Sequence, residues 1–388
     1  MRNYRLMHRD VVCGNLIFDE QSGNIESYRD MGSGHSPFLG NADQNNIKLW
    51  WKTRAVPASR SIIQNLLKQP GNLTAEQYLE KNLALSITDS YWVCPVDLNL
   101  TYDKVRFCNL SEYNDGKIPY HNATSYDPNA SLGGQMEKYW DLSGSIPVLV
   151  KESYKHFGQQ AVNELFATKV HEFLNAGIPY TSYTISGTED RGIICRCNAF
   201  TSDMVELVSA LEVIESEKSR NDISVYDHYI EIVEKRGIPR TVMQDYLDYQ
   251  TITDFIISNT DEHLMNFGML RNPVTLEFIG PAPIFDSGNS MFYSEGIKCR
   301  HSRLALLERE ITAVYKLEEK MLAQVKNRNI IDIERLPDKN FVIELYTGAG
   351  IPEEKASCIA YNYSLKIDMV REFQKGIKIS VYNEKRHG

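Results

Sequence analysis

A hairpin pattern set inside a helical region constrains this 388-residue chain more than any other feature. Beyond residue 200 the apolar residues recur at helical spacing over about 203–217, 226–236 and 240–258, and again from 303 onward. FGML and LEFI, at 267–270 and 276–279, break that period. They flank the turn-like RNPVT and lead into the loop PAPIFDSGNS, which reads as a short hairpin with polar loops at its mouth.

The first half of the chain is patterned differently. Residues 1 to about 95 mix strand-like runs, such as VVCGNLIF at 11–18, with helical patterns around 58–68 and 75–86. A polar stretch at 109–130, rich in Asn, Asp, Tyr and Ser, reads as irregular surface chain. From 131 the segments SLGGQMEKYW, IPVLVKES, AVNELFATKVHEFLNAGI and GIICRCNAF follow one another with strand and helix character in turn. The expected fold is therefore α+β and bilobal. It comprises an N-terminal accessory region (1–95), a small sheet-containing lobe (96–200) and a mainly helical lobe (201–388), with a ligand cleft between the lobes.

Composition narrows the class. Hydrophobic residues at 42% and charged residues at 24% are ordinary for a folded globular chain and argue against disorder. The start carries no apolar core of signal-peptide length, and no run approaches the roughly 20 apolar residues that span a bilayer, so a cytoplasmic protein without membrane attachment is expected. The seven scattered cysteines, Cys13, Cys94, Cys108, Cys195, Cys197, Cys299 and Cys358, have no zinc-ligand spacing and fit a reducing compartment. A net charge of -9 argues against direct nucleic-acid binding, which needs clustered Lys and Arg.

The chemistry-bearing residues gather around the hairpin. SNTDEHLMNFGML places Asp261 and Asn266 five residues apart in the loop between a helix and a strand. That is the spacing of a phosphoryl-transfer loop, in which the Asp takes the acceptor hydroxyl proton and the Asn holds magnesium. About one such spacing is expected by chance in a chain this long, so the context decides. Past the hairpin, IFDSGNS offers Asp286, a hard oxygen ligand of the kind magnesium takes. A polar turn is the ordinary explanation of Asp286 taken singly.

Upstream, the apolar strand run IPVLVKES ends on Lys151, and Glu164 lies thirteen residues on in the next helix, where it could pair with that lysine. The common alternative for Lys151 is a solvent-facing strand end. Ser131, Gly133, Gly134 and Gln135, with Lys138 just beyond, form a candidate phosphate cradle, because glycines let backbone N–H groups approach an anion. A glycine turn in a hairpin is the plainer reading. Cys195 and Cys197 alternate along one strand and read as small core residues.

Together these segments resemble the HipA family of bacterial serine/threonine kinases, which have a protein-kinase-like fold. SLGGQMEK, VLVKES, NELFATKV, NTDEHLMNFGML and PIFDSG, over roughly 131–290, carry the likeness. The resemblance implies ATP and Mg2+ as cofactors, with Lys151 on the ATP phosphates and Glu164 orienting it. The chain from Arg196 through Asn198 to Phe200 would meet the adenine. Asp261 would be the base, His263 would shape its loop, and Asn266 and Asp286 would bind magnesium. It further implies a protein substrate, autophosphorylation with Ser131 as the nearest candidate, and a small antitoxin-like DNA-binding partner. Unlike ordinary protein kinases, the chain has Asn-Thr before Asp261, Asp-Ser-Gly at Asp286, and no Ala-Pro-Glu after it. Two other readings compete: a small-molecule or lipid phosphotransferase on the same fold, and a catalytically inactive kinase-like binding module.

Overall fold

The computed structural model describes residues 1–66, 68, 73–107, 127–188 and 192–387. Residues 108–126, which include Cys108 and most of the stretch 109–130 expected to be irregular, lie outside these residues. The chain divides into two compact units. One comprises Met1–Lys151, Asn198–Ile223 and Met269–Gly280, and the other Glu152–Cys197, Ser224–Gly268 and Pro281–Gly388. Small antiparallel sheets and helical regions make up both, so the α+β class is as expected.

The first unit is organised on a four-stranded sheet. Its strand order is Ile25–Asp30, Val11–Phe18, Arg2–His8 and Tyr91–Pro95, with antiparallel neighbours throughout. Val11–Phe18 is the strand read from sequence, and its Cys13, Leu16 and Phe18 turn inward at period two with one bulge against Arg2–His8. The helix Gln44–Arg54 covers this face with Ile47, Trp50 and Trp51. Its N-terminus is capped by Asp43, whose carboxylate accepts the Asn46 N–H at 2.8 Å.

One expectation fails in this unit. The helix looked for at 203–217 is instead a strand, Glu206–Ser209, followed by only five helical residues, Ala210–Ile214. The strand joins a three-stranded sheet with Gly268–Arg271 and Phe278–Pro281, the hairpin of the sequence reading. A buried charge cluster goes with that pairing. Glu206 receives Arg271 Nε at 2.6 Å and faces His8 Nε2 at 3.0 Å, and all three side chains are almost fully buried. Burial alone would push the Glu206 carboxyl up, but the His8 hydrogen bond and the Arg271 charge hold it down at about 2. The strand is extended where it pairs with Gly268–Arg271, and that pairing sets Glu206 against Arg271, an ion pair that would leave a buried charge if either partner were removed.

In the second unit the sequence reading is closer. Helices Val225–Lys235 and Arg240–Ile257 fall where the periodicity put them. The helix of the NELFATKV segment runs over Gln159–Leu174 and closes on Asn175 in a left-handed conformation, two residues before Gly177. The hairpin Thr184–Thr188 with Gly192–Asn198 pairs antiparallel, and Cys195 and Cys197 share its buried face while Arg196 and Asn198 point to solvent. Helix Arg240–Ile257 is buried along nearly all of its second half, which makes it the axis of this unit. Among the described residues no helix is long and apolar enough to cross a membrane.

Candidate active site

The loop that carries Asp261 begins where helix Arg240–Ile257 stops. Ser258 takes a left-handed conformation (φ 49°) and turns the chain out of the helix, while Asn259 N–H still bonds the Asp254 carbonyl at 2.9 Å. The loop is then built from its own polar groups. Asn259 accepts the Asp261 N–H at 3.3 Å, and His263 donates its N–H to the Asp261 carbonyl at 3.0 Å. Asn266 closes the turn, with its N–H on His263 O at 2.8 Å and its side-chain Nδ2 on Asp261 O at 2.7 Å. His263 also accepts the Met265 N–H on Nδ1 at 3.3 Å, so both its ring and its main chain serve the loop.

The second loop, which carries Asp286, is tied to the first. Asn289 donates Nδ2 to Asp261 Oδ2 at 2.7 Å, and its carbonyl accepts both the N–H and the hydroxyl of Thr260 at 3.2 and 3.0 Å. Three bonds therefore fix the Asp261 carboxylate and its neighbour to a residue only three positions after Asp286. Asp286 itself has φ 64°, a region in which Asp and Asn are among the few side chains at ease.

Helix Gln159–Leu174 supports this loop from one side. Glu164 Oε2 accepts the Ser287 N–H at 3.0 Å, Gln160 Nε2 donates to Asn289 Oδ1 at 2.7 Å, and Asn163 Nδ2 donates to the carbonyls of Gly288 and Ser290 at 2.9 and 2.7 Å. Gly288 sits so close that a Cβ there would lie 3.3 Å from the Gln160 carbonyl oxygen. Tyr346 in turn holds Asn163, its hydroxyl donating to Oδ1 at 2.7 Å. Glu164 thus has a role that the sequence reading did not give it, as an anchor of the Asp286 loop.

Behind the Asp261 loop lie two carboxyls, Asp254 and Glu262, that have no ion-pair partner among the described residues. Asn259 Nδ2 bridges Asp254 Oδ1 at 3.0 Å and Glu262 Oε2 at 3.3 Å, and Gln250 donates to Glu262 Oε1. Burial pushes Asp254 up to about 7, against the Asn259 hydrogen bond. Burial, together with the charges of Asp254, Asp286 and Asp261, drives Glu262 well above the usual carboxylate range. The Glu262 carboxyl beneath Asp261 therefore holds its proton more tightly than a free carboxyl does.

The remaining candidates lie in the first unit or at its border. Lys151 is 1% exposed and stands inside the strand Val148–Ser153, two residues before its end. That corrects the expected strand-end position and excludes the solvent-facing alternative, since a lysine is buried only where its charge is compensated. Ser131 closes the short turn Pro128–Ser131, and Gly133, Gly134 and Gln135 lead into the strand Glu137–Asp141 that carries Lys138. Gly134 has φ 84°, and a Cβ on it would lie 2.5 Å from Lys138 Nζ, so the lysine ammonium rests directly over the glycine turn. Arg196 and Asn198 are exposed on their strand, Phe200 is half-buried, and Ala199 N–H bonds Pro147 O at 2.8 Å.

The structure therefore brings Glu164, Asp261, Asn266 and the Asp286 loop into one bonded assembly, and gathers Gly133, Gly134 and Lys138 into one turn. Asn289, Gln160, Asn163, Asn259 and Tyr346 were not foreseen. Their visible trace is a set of amides, Gln159, Gln160 and Asn163, on a helix whose other inward residues are mostly apolar.

No family model matches the chain. It is 27% identical over 152 residues to the serine/threonine-protein kinase CtkA of Helicobacter pylori. The chain is homologous to a kinase. The match covers 38% of this chain and 46% of CtkA, so the chain spans about half the length of the curated relative it matches. A solved structure of the Helicobacter pylori proinflammatory kinase CtkA superposes with a TM-score of 0.47 at 18% identity, covering 64% of this chain and 94% of that one. HipA of Shewanella oneidensis, solved with HipB and operator DNA, gives 0.45 at 13% identity, covering 95% of this chain and 90% of that one.

Proposed function

We propose that this chain is an ATP- and magnesium-dependent serine/threonine protein kinase of HipA-like type, with Asp261 as base and Asn266 and Asp286 as magnesium ligands. The observation that carries the reading is the bonding of Asn289 to both Thr260 and the Asp261 carboxylate, which sets a candidate base beside a candidate metal loop. The homology to a serine/threonine kinase supports the same class.

The residues fit the groups the reaction needs. Asn266 spends its side-chain nitrogen on the Asp261 carbonyl, which orients its oxygen as the ligand end. At the glycine turn the Lys138 ammonium lies 2.5 Å from where a Cβ on Gly134 would stand, so a phosphate reaching the turn would meet that charge over a residue without a side chain. Magnesium and ATP, when bound, supply the transferable phosphoryl group and neutralise its charge. The chain's own work is to position. Asn289 holds Asp261 Oδ2, and the other carboxylate oxygen is assigned to the hydroxyl proton of the acceptor serine or threonine. Lys151 would neutralise phosphate charge, and Glu164 would keep the Asp286 loop in place through Ser287. Arg196, Asn198 and Phe200 belong to the adenine side of the reading, and His263 to the shape of the catalytic loop.

The three segments 1–95, 96–200 and 201–388 are kept as accessory region, N-lobe and C-lobe. Autophosphorylation at Ser131, a protein substrate, a small antitoxin-like DNA-binding partner and a cytoplasmic setting belong to the same proposal. The described cysteines, all free thiols, support the last.

Two substitutions test the parts separately. Asn289→Ala lowers kcat about tenfold while leaving the Kd for Mg·ATP near wild type, because it frees the Asp261 carboxylate without touching a metal ligand. Steady-state kinetics beside calorimetry reads both. Gly134→Ala raises the Kd for ATP about tenfold or more, since the new methyl group must displace Lys138 at a positive φ. Unchanged affinity in that variant would remove the glycine turn from the nucleotide site. The overall reading is tested by transfer of the ATP γ-phosphate to serine or threonine in added protein and in the chain itself.

A further inference from the structure

The glycine turn does not hold its shape alone. A block of three residues from the N-terminal region, Ser59-Arg60-Ser61, grips it at four positions. Arg60 is 2% exposed and donates Nη1 to Leu132 O at 2.6 Å and Nη2 to Lys138 O, the carbonyls on either side of the turn. Ser61 binds Glu137 through its N–H at 2.8 Å and its hydroxyl at 2.9 Å, and Ser59 donates its hydroxyl to Gln135 Oε1. Just upstream, Val56 N–H bonds Ala130 O at 3.2 Å. Residues 56–61 thus run along 130–138 as a splint.

A fully buried guanidinium is costly, and burial does pull the Arg60 pKa down. The nearest carboxylate, Glu137, is 3.9 Å from Nε and is also occupied by Ser61. Arg60 therefore directs its fork at main-chain carbonyls, a use that fixes backbone shape through two rigid donors at once. Loops that bind phosphate through N–H groups depend on that shape, because each donor must already point at the anion.

We propose that Ser59-Arg60-Ser61 is a positioning element for the phosphate-binding turn, so that the N-terminal region sets the affinity of this chain for the phosphates of a nucleoside triphosphate. The inference rests on the nucleotide-binding reading above. It gives the N-terminal region a defined part in ligand binding, and anything that displaces residues 56–61 would weaken nucleotide binding without reaching the glycine turn directly.

The test is calorimetry of the full chain with Mg·ATP and, separately, with adenosine, on wild type, Arg60→Met and Arg60→Lys. Arg60→Met is expected to weaken Mg·ATP about tenfold and to leave adenosine unchanged, since two hydrogen bonds to the turn are lost and adenosine has no phosphate to report them. Arg60→Lys, able to reach one carbonyl, is expected to recover part of that loss. Equal weakening of both ligands would show a merely structural residue and overturn the proposal, as would ATP affinity equal to wild type. If Arg60→Met does not fold, Ser61→Ala at an exposed position probes the same grip, with about a threefold loss for Mg·ATP expected and no loss contradicting it. Wild type that binds adenosine but not Mg·ATP would sink the phosphate-turn reading itself, a different failure from one confined to the variants.

Discussion

Asp261→Ala lowers phosphoryl transfer on the order of 10²-fold or more and leaves Mg·ATP binding close to wild type. The expectation comes from which atoms of Asp261 do what. Its side chain receives Asn289 Nδ2, whereas its main-chain carbonyl receives Asn266 Nδ2 and the His263 N–H. Alanine removes only the first of these, so Asn266 stays where a metal ligand is required and the loop keeps its turn. A base is lost and the nucleotide site is not. Single-turnover rates at saturating Mg·ATP, with Kd from calorimetry, separate the two. A variant that turns over near wild type would remove Asp261 from the role of base, and one that loses nucleotide binding as well would make it a metal ligand.

Asp286→Asn weakens Mg·ATP binding on the order of 10²-fold, the scale expected when one unit charge beside a divalent cation is removed in a partly buried site. This substitution is a clean one here. Asp286 has φ 64°, and Asn is the other common residue that accepts that conformation, so the backbone is not disturbed. The neighbouring anchor runs from the Ser287 main-chain N–H to the Glu164 carboxylate, uses no atom of the Asp286 side chain, and survives. Binding of ATP without magnesium should therefore change little, while the gain in affinity on adding magnesium should disappear. A metal-dependent gain that persists in Asp286→Asn would assign Asp286 to the polar-turn explanation.

Some of this architecture was legible in the residue pattern because it is set locally. The strand Val11–Phe18, the helices Val225–Lys235 and Arg240–Ile257 and the hairpin around RNPVT each carry their own period or turn chemistry. The placement of Asp261, Asn266 and Asp286 on loops was equally plain, because the elements that flank them have strong signals. The strand Glu206–Ser209 was misread as helix. Its partners, the strand Gly268–Arg271 and the side chains of His8 and Arg271, are distant in sequence, and no local period announces contacts formed only on folding. Lys151 was placed at a strand end because the apolar run stops there, although the backbone pairing continues to Ser153.

The supporting amides were hidden for the same reason. Asn289 was quoted within IFDSGNS, yet nothing in that segment says that it will hold Asp261, and Gln160 and Asn163 act across more than 120 residues of chain. The usable clue was chemical: buried amides on a mostly apolar helix must satisfy several donors and acceptors each, and loop backbone is what offers them. The splint at residues 56–61 gave no sign at all, since an arginine and two serines are ordinary surface residues until Arg60 is seen to be buried.

The most direct test of the central claim is formation of ADP from ATP by the purified chain with magnesium, measured beside Asp261→Ala and followed by intact-mass analysis of the protein. The kinase reading expects magnesium-dependent ADP in the wild type well above the variant, with the phosphate recovered on a serine or threonine of the chain or of an added protein. ADP no higher than in Asp261→Ala, together with no magnesium-dependent binding of ATP, would contradict it and point to an inactive binding module on this fold.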